Sequence, residues 1–518
     1  MKRQVVIHPI LFSLFPSLFL LGVNSSYYEF AVVVAPGLTC AAIGLLAWYV
    51  ARMLIRDQRV AAILVSSSFL VMFSFAAVYD SLTRAKIAAQ GYGGQAIPRG
   101  DLIIVICLGV GMGATVLMLR LRQYMNEWTY LMNVVGTILV FVPLTNLAAS
   151  AYGTWNARQL LPATTTRLPL EKSRADDAAK PDIYHIILDG YGSDEVFRRV
   201  FDSDNSETTG FLRQKGFWVA RHGRSNYPET ASSVASVMNA AYLHDVVGGN
   251  LAGFGDHQFL RELMADNFAQ KFLRANGYRI VAFGTEYENV RLRNTDVSLD
   301  EWWAMRPFAL AVFEMTPFPW VLRQLGYPLL YDLHRRRILH ALDQLGEAPR
   351  LPGPKFVYAH ILFAHTPFVF GRNGEPVDPE RRFHMWVHGD LQENIDGYRN
   401  QVHYLNGRLR KTVEQILERS ARPPIILIHG DHGPGMKDQG RQGLDIEERF
   451  GILYALFLPG AAQRNLAETA TPVNAYRLIF NHTFGTNYPM LPDVSYYTPQ
   501  GRPYAFAAVD TLRPPRDN

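Results

Sequence analysis

The chain has 518 residues, of which 48% are hydrophobic and 19% are charged, and its formal net charge is +5. A chain of this length exceeds one ordinary domain. The positive excess does not indicate a nucleic-acid partner, because much of it lies beside apolar stretches. The only two cysteines, Cys40 and Cys107, lie inside such stretches. The rest of the chain therefore has no disulfide, and any metal site there must use oxygen and nitrogen ligands.

Five apolar stretches dominate the first 150 residues: 5–23, 30–50, 60–79, 102–119 and 129–150. None of them contains Asp, Glu, Lys or Arg, and each is close to the ~20 residues that a helix needs to cross a bilayer. The sequence therefore predicts five membrane spans. Lys2 and Arg3 precede the first span. No small-residue cleavage site follows it, which favours an uncleaved anchor over a signal peptide.

The orientation of these spans follows from the basic residues in the short connections. One side carries Lys2, Arg3, Arg52, Arg56, Arg59, Arg120 and Arg122. On the other side, the 24–29 loop has no basic residue. The 81–101 loop, also on that side, has three basic residues and argues weakly against the orientation with a cytoplasmic N-terminus. The positive-inside rule places the N-terminus in the cytoplasm and everything after residue 155 outside. We predict a transmembrane domain at 1–155, a linker at 156–180 and an extracytoplasmic domain at 181–518.

From about residue 180, short apolar runs alternate with helical patterns, which is typical of an α/β domain with a mainly parallel sheet. The predicted strands are 182–188, 279–283, 355–362, 424–428 and 452–458. The predicted helices include 206–215, 230–241, 258–276 and 393–419. The last helix carries apolar residues at helical spacing, and we expect that face to lie on the sheet.

The polar residues of interest follow predicted strands. The apolar run 425–428 passes through His429 into Gly430-Asp431-His432-Gly433. A carboxylate and an imidazole at the end of a buried parallel strand lie where open α/β sheets bind ligands, and both are ligands for Zn²⁺ or Mn²⁺. The alternative is a surface turn with solvated side chains.

Two further elements of the pattern are weaker when taken singly. Asp189 ends the first strand, although an isolated Asp-Gly is more often only a turn. Thr230 follows Tyr227-Pro228 at the start of a predicted helix. It is either an N-cap residue or a hydroxyl nucleophile at a helix N-terminus, where backbone N–H groups receive an oxyanion.

Two histidines belong to the strand around residue 360. His365 follows the strand, before a Pro-containing turn, and is the better candidate ligand or phosphate contact. His360 lies within the strand and is also explained as an ordinary packed histidine.

The segment Phe308–Trp320 is rich in aromatic residues. It is explained by core packing or, alternatively, by a lipid-facing or substrate-covering element.

The order of these pieces behind five spans resembles the alkaline-phosphatase superfamily, in particular its membrane-anchored sulfatase-like branch. That branch includes lipoteichoic acid synthases and lipid A phosphoethanolamine transferases. The resemblance implies that Asp189, Asp431 and His432 hold a divalent metal (Zn²⁺ or Mn²⁺, with Mg²⁺ as the third choice). It implies that Thr230, within Thr-Ala-x-Ser-Val, is a metal ligand and becomes covalently modified. His365 would contact the substrate phosphate or a second metal.

The chain also departs from this family. Many members have another histidine about a dozen residues after the Asp-His pair, and residues 437–450 contain none. Gln439, Arg441, Gln442 or Arg449 would take its place, with Arg441 and Gln442 as the candidate substrate-binding residues, or the second site is absent. The cysteines of phosphoethanolamine transferases are missing, and no formylglycine motif occurs at Thr230, which argues against sulfate-ester hydrolysis.

The resemblance implies a multi-pass enzyme of the bacterial inner membrane with its catalytic domain on the periplasmic or extracellular side. The expected reaction moves a phosphoethanolamine or phosphoglycerol group from a phospholipid donor to an envelope glycan or lipid acceptor, through phospho-Thr230. Two alternatives stay open. One is a phosphodiesterase or phosphatase of the same fold that uses water. The other is a non-catalytic envelope protein that keeps the fold.

Overall fold

The computed structural model describes residues 5–25, 28, 30–55, 57–90, 100–120, 122–160, 168–171, 180–247, 251–300, 306–378, 383, 391–436, 445–460, 469–499 and 501–511. The chain forms two compact units. The first comprises Met1–Trp155, Met305–Leu330 and Glu380–His384. The second comprises Asn156–Ala304, Tyr331–Pro379 and Met385–Asn518.

The helices are numbered α1 to α17 in chain order. They are α1 His8–Val23, α2 Phe30–Ile55, α3 Gln58–Gln90, α4 Gly100–Arg120, α5 Met125–Leu160, α6 Asp194–Phe201, α7 Ser206–Gln214, α8 Thr230–Asn239, α9 Leu243–Val247, α10 Gln258–Ala265, α11 Phe268–Ala275, α12 Pro307–Glu314, α13 Phe318–Gln324, α14 Leu329–Glu347, α15 Leu391–Arg419, α16 Ile446–Phe450 and α17 Ala475–Phe484.

The strands are numbered in the same way. They are β1 Ile183–Leu188, β2 Trp218–Val219, β3 His222–Gly223, β4 Arg279–Ala282, β5 Val297–Ser298, β6 Lys355–Ile361, β7 Ile425–His429, β8 Tyr454–Phe457, β9 Thr469–Ala470, β10 Tyr496–Tyr497 and β11 Ala507–Ala508.

The first unit contains the apolar helices α1 to α5, and these coincide with the five predicted stretches. Three described segments are long and apolar enough to cross a membrane: Val32–Ile55, Gln58–Leu82 and Arg122–Asn156. The other two apolar helices, His8–Val23 and Leu102–Leu117, are shorter. The helical apolar region is therefore as predicted, whereas within the described residues three segments meet both the length and the composition of a full span, so the predicted count of five is not confirmed.

The second unit is built on a seven-stranded sheet with the order β2-β8-β7-β1-β6-β4-β5. The five strands β7, β1, β6, β4 and β5 are parallel to one another, β8 pairs antiparallel with β7, and β2 pairs antiparallel with β8 at the edge. Every residue of β1, β6 and β7 is buried, which explains why these strands appear in the sequence as continuous apolar runs. The prediction of an α/β domain with a mainly parallel sheet is confirmed.

The two faces of this sheet carry different helices. Residues of α8, among them Val234 and Met238, pack in one buried cluster with Ile183, Ile187 and Leu427 of the central strands. The long helix α15 buries the apolar residues that the sequence placed on one face: Tyr398, Val402, Leu405, Leu409, Val413 and Ile416. Its bounds differ from the predicted 393–419 only at the start.

One predicted helix is wrong in its continuity. Residues 258–276 form two helices, α10 and α11, rather than one. The break occurs because Asn267 adopts an extended backbone and its side chain accepts a hydrogen bond from the Gln270 N–H. This is an N-cap, and it starts a new helix.

Candidate metal centre

The three central strands of the second unit end at the same edge of the sheet, and each end supplies a polar side chain. Asp189 follows β1, where its N–H donates to the Ile361 carbonyl at 2.9 Å and its carbonyl accepts from the Ala364 N–H at 3.0 Å. Asp431 follows β7, and the preceding Gly430 N–H donates to Leu453. Because β7, β1 and β6 are parallel neighbours, the residues after them converge on one spot.

Close backbone packing explains the two glycines that flank Asp431-His432. A Cβ at Gly430 would lie 2.3 Å from the Tyr191 carbonyl oxygen, and a Cβ at Gly433 would lie 1.8 Å from the Glu448 carbonyl oxygen. Neither position has room for a side chain. The Gly-Asp-His-Gly sequence is therefore required to bring this turn against its neighbours.

Thr230 is the first residue of α8, as the sequence predicted. Its hydroxyl is buried and lies 3.2 Å from His432 Nε2. The preceding Glu229 has an extended backbone and makes no side-chain cap. The Glu229 carboxylate therefore does not cap the first N–H groups of α8, and this end of the helix carries a partial positive charge next to the Thr230 hydroxyl.

His360 joins the site, although the sequence interpretation favoured His365 over it. His360 Nε2 lies 3.6 Å from Asp189 Oδ2 and 3.9 Å from Asp431 Oδ2. One ligand atom from each of these three buried residues lies within 4.8 Å of the other two. Thr285 Oγ1 contacts His360 Nδ1 at 3.0 Å and holds the ring with Nε2 towards the carboxylates.

His432 presents a lone pair to the same carboxylates. Its Nδ1 lies 2.9 Å from the Gly433 carbonyl, which only accepts, so Nδ1 carries the proton. Nε2 then faces Asp189 Oδ1 at 3.7 Å and Asp431 Oδ2 at 3.5 Å. Burial lowers the pKa of His432 to about 4, with the Arg449 charge acting in the same direction, so the ring is neutral near pH 7.

These groups form a cluster of metal-ligand atoms whose hydrogen-bonding capacity the described residues leave unused. Asp189 Oδ1, His360 Nε2 and Asp431 Oδ2 are buried and have no hydrogen-bond partner in the described part of the chain. Buried polar atoms without a hydrogen-bond partner are costly. Carboxylate oxygens together with imidazole nitrogens fit a divalent metal ion.

The two carboxylates influence each other strongly. Burial and the neighbouring Asp431 charge raise the pKa of Asp189 to about 8. Burial also acts against ionisation of Asp431, but His432 and His360 overcome it and hold the pKa of Asp431 below its usual range. The pocket therefore does not favour two bare negative charges, and a cation would relieve their repulsion.

Two buried histidines in the central strands, one before Asp189 and one before Asp431, form a hydrogen-bonded chain next to the site. The Nε2 atoms of His185 and His429 lie 2.8 Å apart, His185 Nδ1 is 2.8 Å from the Tyr476 hydroxyl, and His429 Nδ1 is 2.8 Å from the Gly430 carbonyl. Because that carbonyl only accepts, His429 Nδ1 is protonated, and its Nε2 accepts from His185. Burial lowers the pKa of His429 to about 4, so this neutral arrangement persists near pH 7. It fixes the backbone just before Asp431.

The remaining predicted residues lie outside the three-residue group. His365 is half-buried, and its Nδ1 lies 2.6 Å from the Thr366 carbonyl. Burial lowers its pKa, so Nε2 is unprotonated near pH 7. Arg449 donates to the Gly433 carbonyl at 3.3 Å, next to His432. Gln439, Arg441 and Gln442 lie outside the described residues.

The sequence did contain a signal for His360. In the parallel register His360 lies opposite Ile187, two residues before Asp189. A histidine one residue before the end of a strand, next to strands that end in Asp189 and Asp431, is in place to join them. His185 and His429 gave no comparable signal, because each looks like an interruption of an apolar run.

No protein-family model and no curated protein matches this sequence. Solved structures resemble it at low identity. The C-terminal periplasmic domain of EcEptC from Escherichia coli is 12% identical over 67% of this chain and 97% of that chain, with a TM-score of 0.43. Lipooligosaccharide phosphoethanolamine transferase A from Neisseria meningitidis, an integral membrane protein, is 12% identical over 91% and 95%, with a TM-score of 0.40. The phosphonate monoester hydrolase of Agrobacterium radiobacter is 13% identical over 61% and 80%, with a TM-score of 0.38.

Proposed function

We propose that this chain is a metal-dependent transferase that moves a phospho-alcohol group to a cell-envelope lipid or glycan through Thr230. The observation that supports it is the position of the Thr230 hydroxyl. It is buried at the first residue of α8 and lies 3.2 Å from His432 Nε2, which faces the two carboxylates. A nucleophile beside a metal site and a helix N-terminus is suited to attack on phosphorus.

The metal would be held by Asp189, Asp431, His432 and Thr230, with His360 as a further ligand. The mixed carboxylate and imidazole set favours Zn²⁺ or Mn²⁺ over Mg²⁺. When bound, the metal would lower the pKa of the Thr230 hydroxyl and neutralise charge on the phosphate oxygens. The hydrogen bond from His432 Nδ1 to Gly433 and the contact of His360 with Thr285 orient both imidazoles for this purpose.

The reaction has two balanced displacements. In the first, Thr230 Oγ1 attacks the donor phosphorus, the bond to the lipid alcohol breaks, and the Thr230 proton ends on the departing alcohol. In the second, an acceptor hydroxyl attacks phospho-Thr230 and Thr230 regains a proton. His365 is the candidate proton carrier, because its Nδ1–H is engaged by Thr366 and its Nε2 accepts near neutral pH. With Nε2 unprotonated, His365 would first accept the Thr230 proton and then deliver it to the departing alcohol.

Arg449 is the candidate for the missing downstream histidine. Its guanidinium donates to the Gly433 carbonyl, which also accepts from His432 Nδ1. The Gly433 N–H donates back to the Arg449 carbonyl at 2.8 Å. Arg449 therefore holds the turn that carries His432 and supplies a permanent positive charge there. In this proposal a fixed cation takes the place of a second metal.

The membrane helices fit a lipid donor. An enzyme held in the inner membrane, with its second unit on the periplasmic side, would meet phospholipid headgroups at that surface. A phosphoethanolamine or phosphoglycerol group carried by a glycerophospholipid is the substrate class that we propose. The acceptor would be a hydroxyl of an envelope glycan or lipid.

The test uses the purified full-length protein with a phospholipid labelled in its headgroup phosphate. We expect diacylglycerol release that stops with a chelator, returns with Zn²⁺ or Mn²⁺, and is lost in Thr230→Ala. Ser232→Ala is the matched control, because Ser232 is also buried in α8 and should keep its activity. If the label is transferred only to water even when envelope acceptors are present, the enzyme is a hydrolase and the transferase proposal is wrong. Bound metal without any turnover of labelled donors would contradict the enzymatic proposal.

A further inference from the structure

Part of the first unit comes from a distant part of the sequence. Residues 307–327, which we name the return segment, contain α12 and α13 and belong to the unit formed by α1 to α5. The sequence interpretation left this aromatic stretch between core packing and a lipid-facing element. Only two residues in it are charged, Glu314 and Arg323.

The first half of the return segment is core. Phe308 is 1% exposed and Val312 is 7% exposed, and both belong to a buried cluster with Phe12, Leu21 and Val33. The Phe308 ring meets the Tyr28 ring edge-on, with centroids 5.1 Å apart. Core packing is therefore the correct interpretation for α12.

The contacts of the return segment lie at one end of the helical bundle. Tyr28, whose ring meets Phe308, lies just before the start of α2, and the Ala76 N–H, in the second half of α3, donates to the Met315 carbonyl at 3.3 Å. Trp320 packs against Tyr79, in the second half of α3, and near Ile103, at the start of α4. Because consecutive membrane helices alternate in direction, all of these positions lie at the same end. It is the end at which α5 finishes.

The second half of the segment presents an apolar face that no other described residue covers. Phe318 is 51% exposed, Val321 39%, Leu325 66% and Tyr327 67%. Phe318, Val321 and Leu325 follow one another at helical spacing, so they lie on one side. An exposed face of this kind with a Trp and a Tyr beside it is typical of elements at the membrane–water interface.

We propose that the return segment is an interfacial membrane element, with Phe318, Val321 and Leu325 inserted between the headgroups and acyl chains of the leaflet at this end. The bilayer is the favoured occupant because this face lies at the same end of the bundle as other exposed apolar side chains. Residues of α2 and α4 at the same end, Leu38 at 64% and Leu102 at 54%, are exposed as lipid-facing side chains are. The apolar face of α13 thus extends a surface that the bilayer already covers. This inference does not depend on the proposed enzymatic activity.

The experiment uses the full chain in phospholipid nanodiscs after Cys40→Ala and Cys107→Ala. Single cysteines at Phe318, Val321 and Leu325 are labelled with the fluorophore NBD, and Lys411→Cys, an exposed position on α15, is the control. We expect blue-shifted emission at the three test positions, quenching by phospholipid with a spin label near the headgroup, and protection from iodide. The control should show the opposite.

Two outcomes would overturn the proposal. Water-like emission with full iodide quenching at all three positions would show that the face lies in solvent. A second copy of this protein would be the occupant if the blue-shifted emission is not quenched by spin-labelled lipid and disappears in nanodiscs that contain a single chain. Three separate label positions keep the test valid if one substitution impairs folding.

Discussion

A buried ion cluster next to the site allows a quantitative prediction. Glu286 follows β4, and its side chain is 6% exposed. One carboxylate oxygen lies 2.7 Å from His334 Nδ1, and the other pairs with Arg337. Burial alone would raise the pKa of Glu286, but His334 and Arg337 overcome it and lower the pKa to about 2. We predict that Glu286→Gln destabilises the second unit at neutral pH.

The magnitude follows from the pKa. The Glu286 pKa falls from 4.5 to about 2, and since each pKa unit corresponds to about 1.4 kcal/mol, the ion cluster contributes about 3 kcal/mol to folding. A pKa that is lower in the folded state gives a contribution that is complete above pH ~4.5 and is lost as the pH falls towards ~2. Glu286→Gln should therefore cost about 3 kcal/mol at pH 7, about 1.4 kcal/mol at pH 3 and little at pH 2.

The assay is a urea titration of the full-length protein in detergent, read by pulse proteolysis at pH 7 and at pH 3. Asp396→Asn is the matched control, because the Asp396 carboxylate is 50% exposed and lies 3.6 Å from Arg399. An exposed pair of this kind should change stability by less than about 1 kcal/mol. Equal destabilisation by the two variants, or a Glu286→Gln effect that is the same at both pH values, would refute the reasoning.

Three further predictions concern the metal centre. Thr285→Val removes the hydroxyl that holds His360 and should weaken metal affinity about 10- to 100-fold, as measured by metal titration; unchanged affinity would remove His360 from the ligand set. Arg449→Gln should lower turnover about 100-fold or more, with Arg449→Lys intermediate; equal rates in a headgroup-release assay would contradict the fixed-cation role. The metal would bind Asp189 in its ionised form, and burial and Asp431 raise the pKa of Asp189 to about 8. The apparent metal affinity should therefore rise about tenfold per pH unit up to pH ~8 and then level off. Calorimetry that shows no such rise would contradict this prediction.

The sequence was sufficient for five of the seven strands of the sheet, and it missed the two-residue strands β2 and β5. Continuous apolar runs identify β1, β6 and β7 because these strands are buried on both faces. The order of the strands in the sheet was not predictable from these runs, since any apolar strand can pair with any other. The break at Asn267 was missed because the apolar spacing continues across the N-cap.

The sequence named four of the five residues that the structure brings together at the candidate site. Asp189, Thr230, Asp431 and His432 stand at element boundaries, and the structure brings them together there. His360 lies inside a strand, so its role depends on which strands are its neighbours. The return segment could not be placed from sequence, because its apolar residues serve two purposes: Phe308 is buried in protein, whereas Phe318 is exposed.

Intact-mass analysis of Thr230 is the measurement that tests the central claim most directly. The full-length protein is loaded with Zn²⁺ or Mn²⁺, mixed with a phospholipid donor without acceptor, and quenched. We predict an added mass equal to the phospho-alcohol headgroup, mapped to Thr230 by fragmentation, absent after chelation and absent in Thr230→Ala. Metal-loaded, folded protein that releases diacylglycerol from the donor but never carries this mass, or carries it on another residue, would contradict the account.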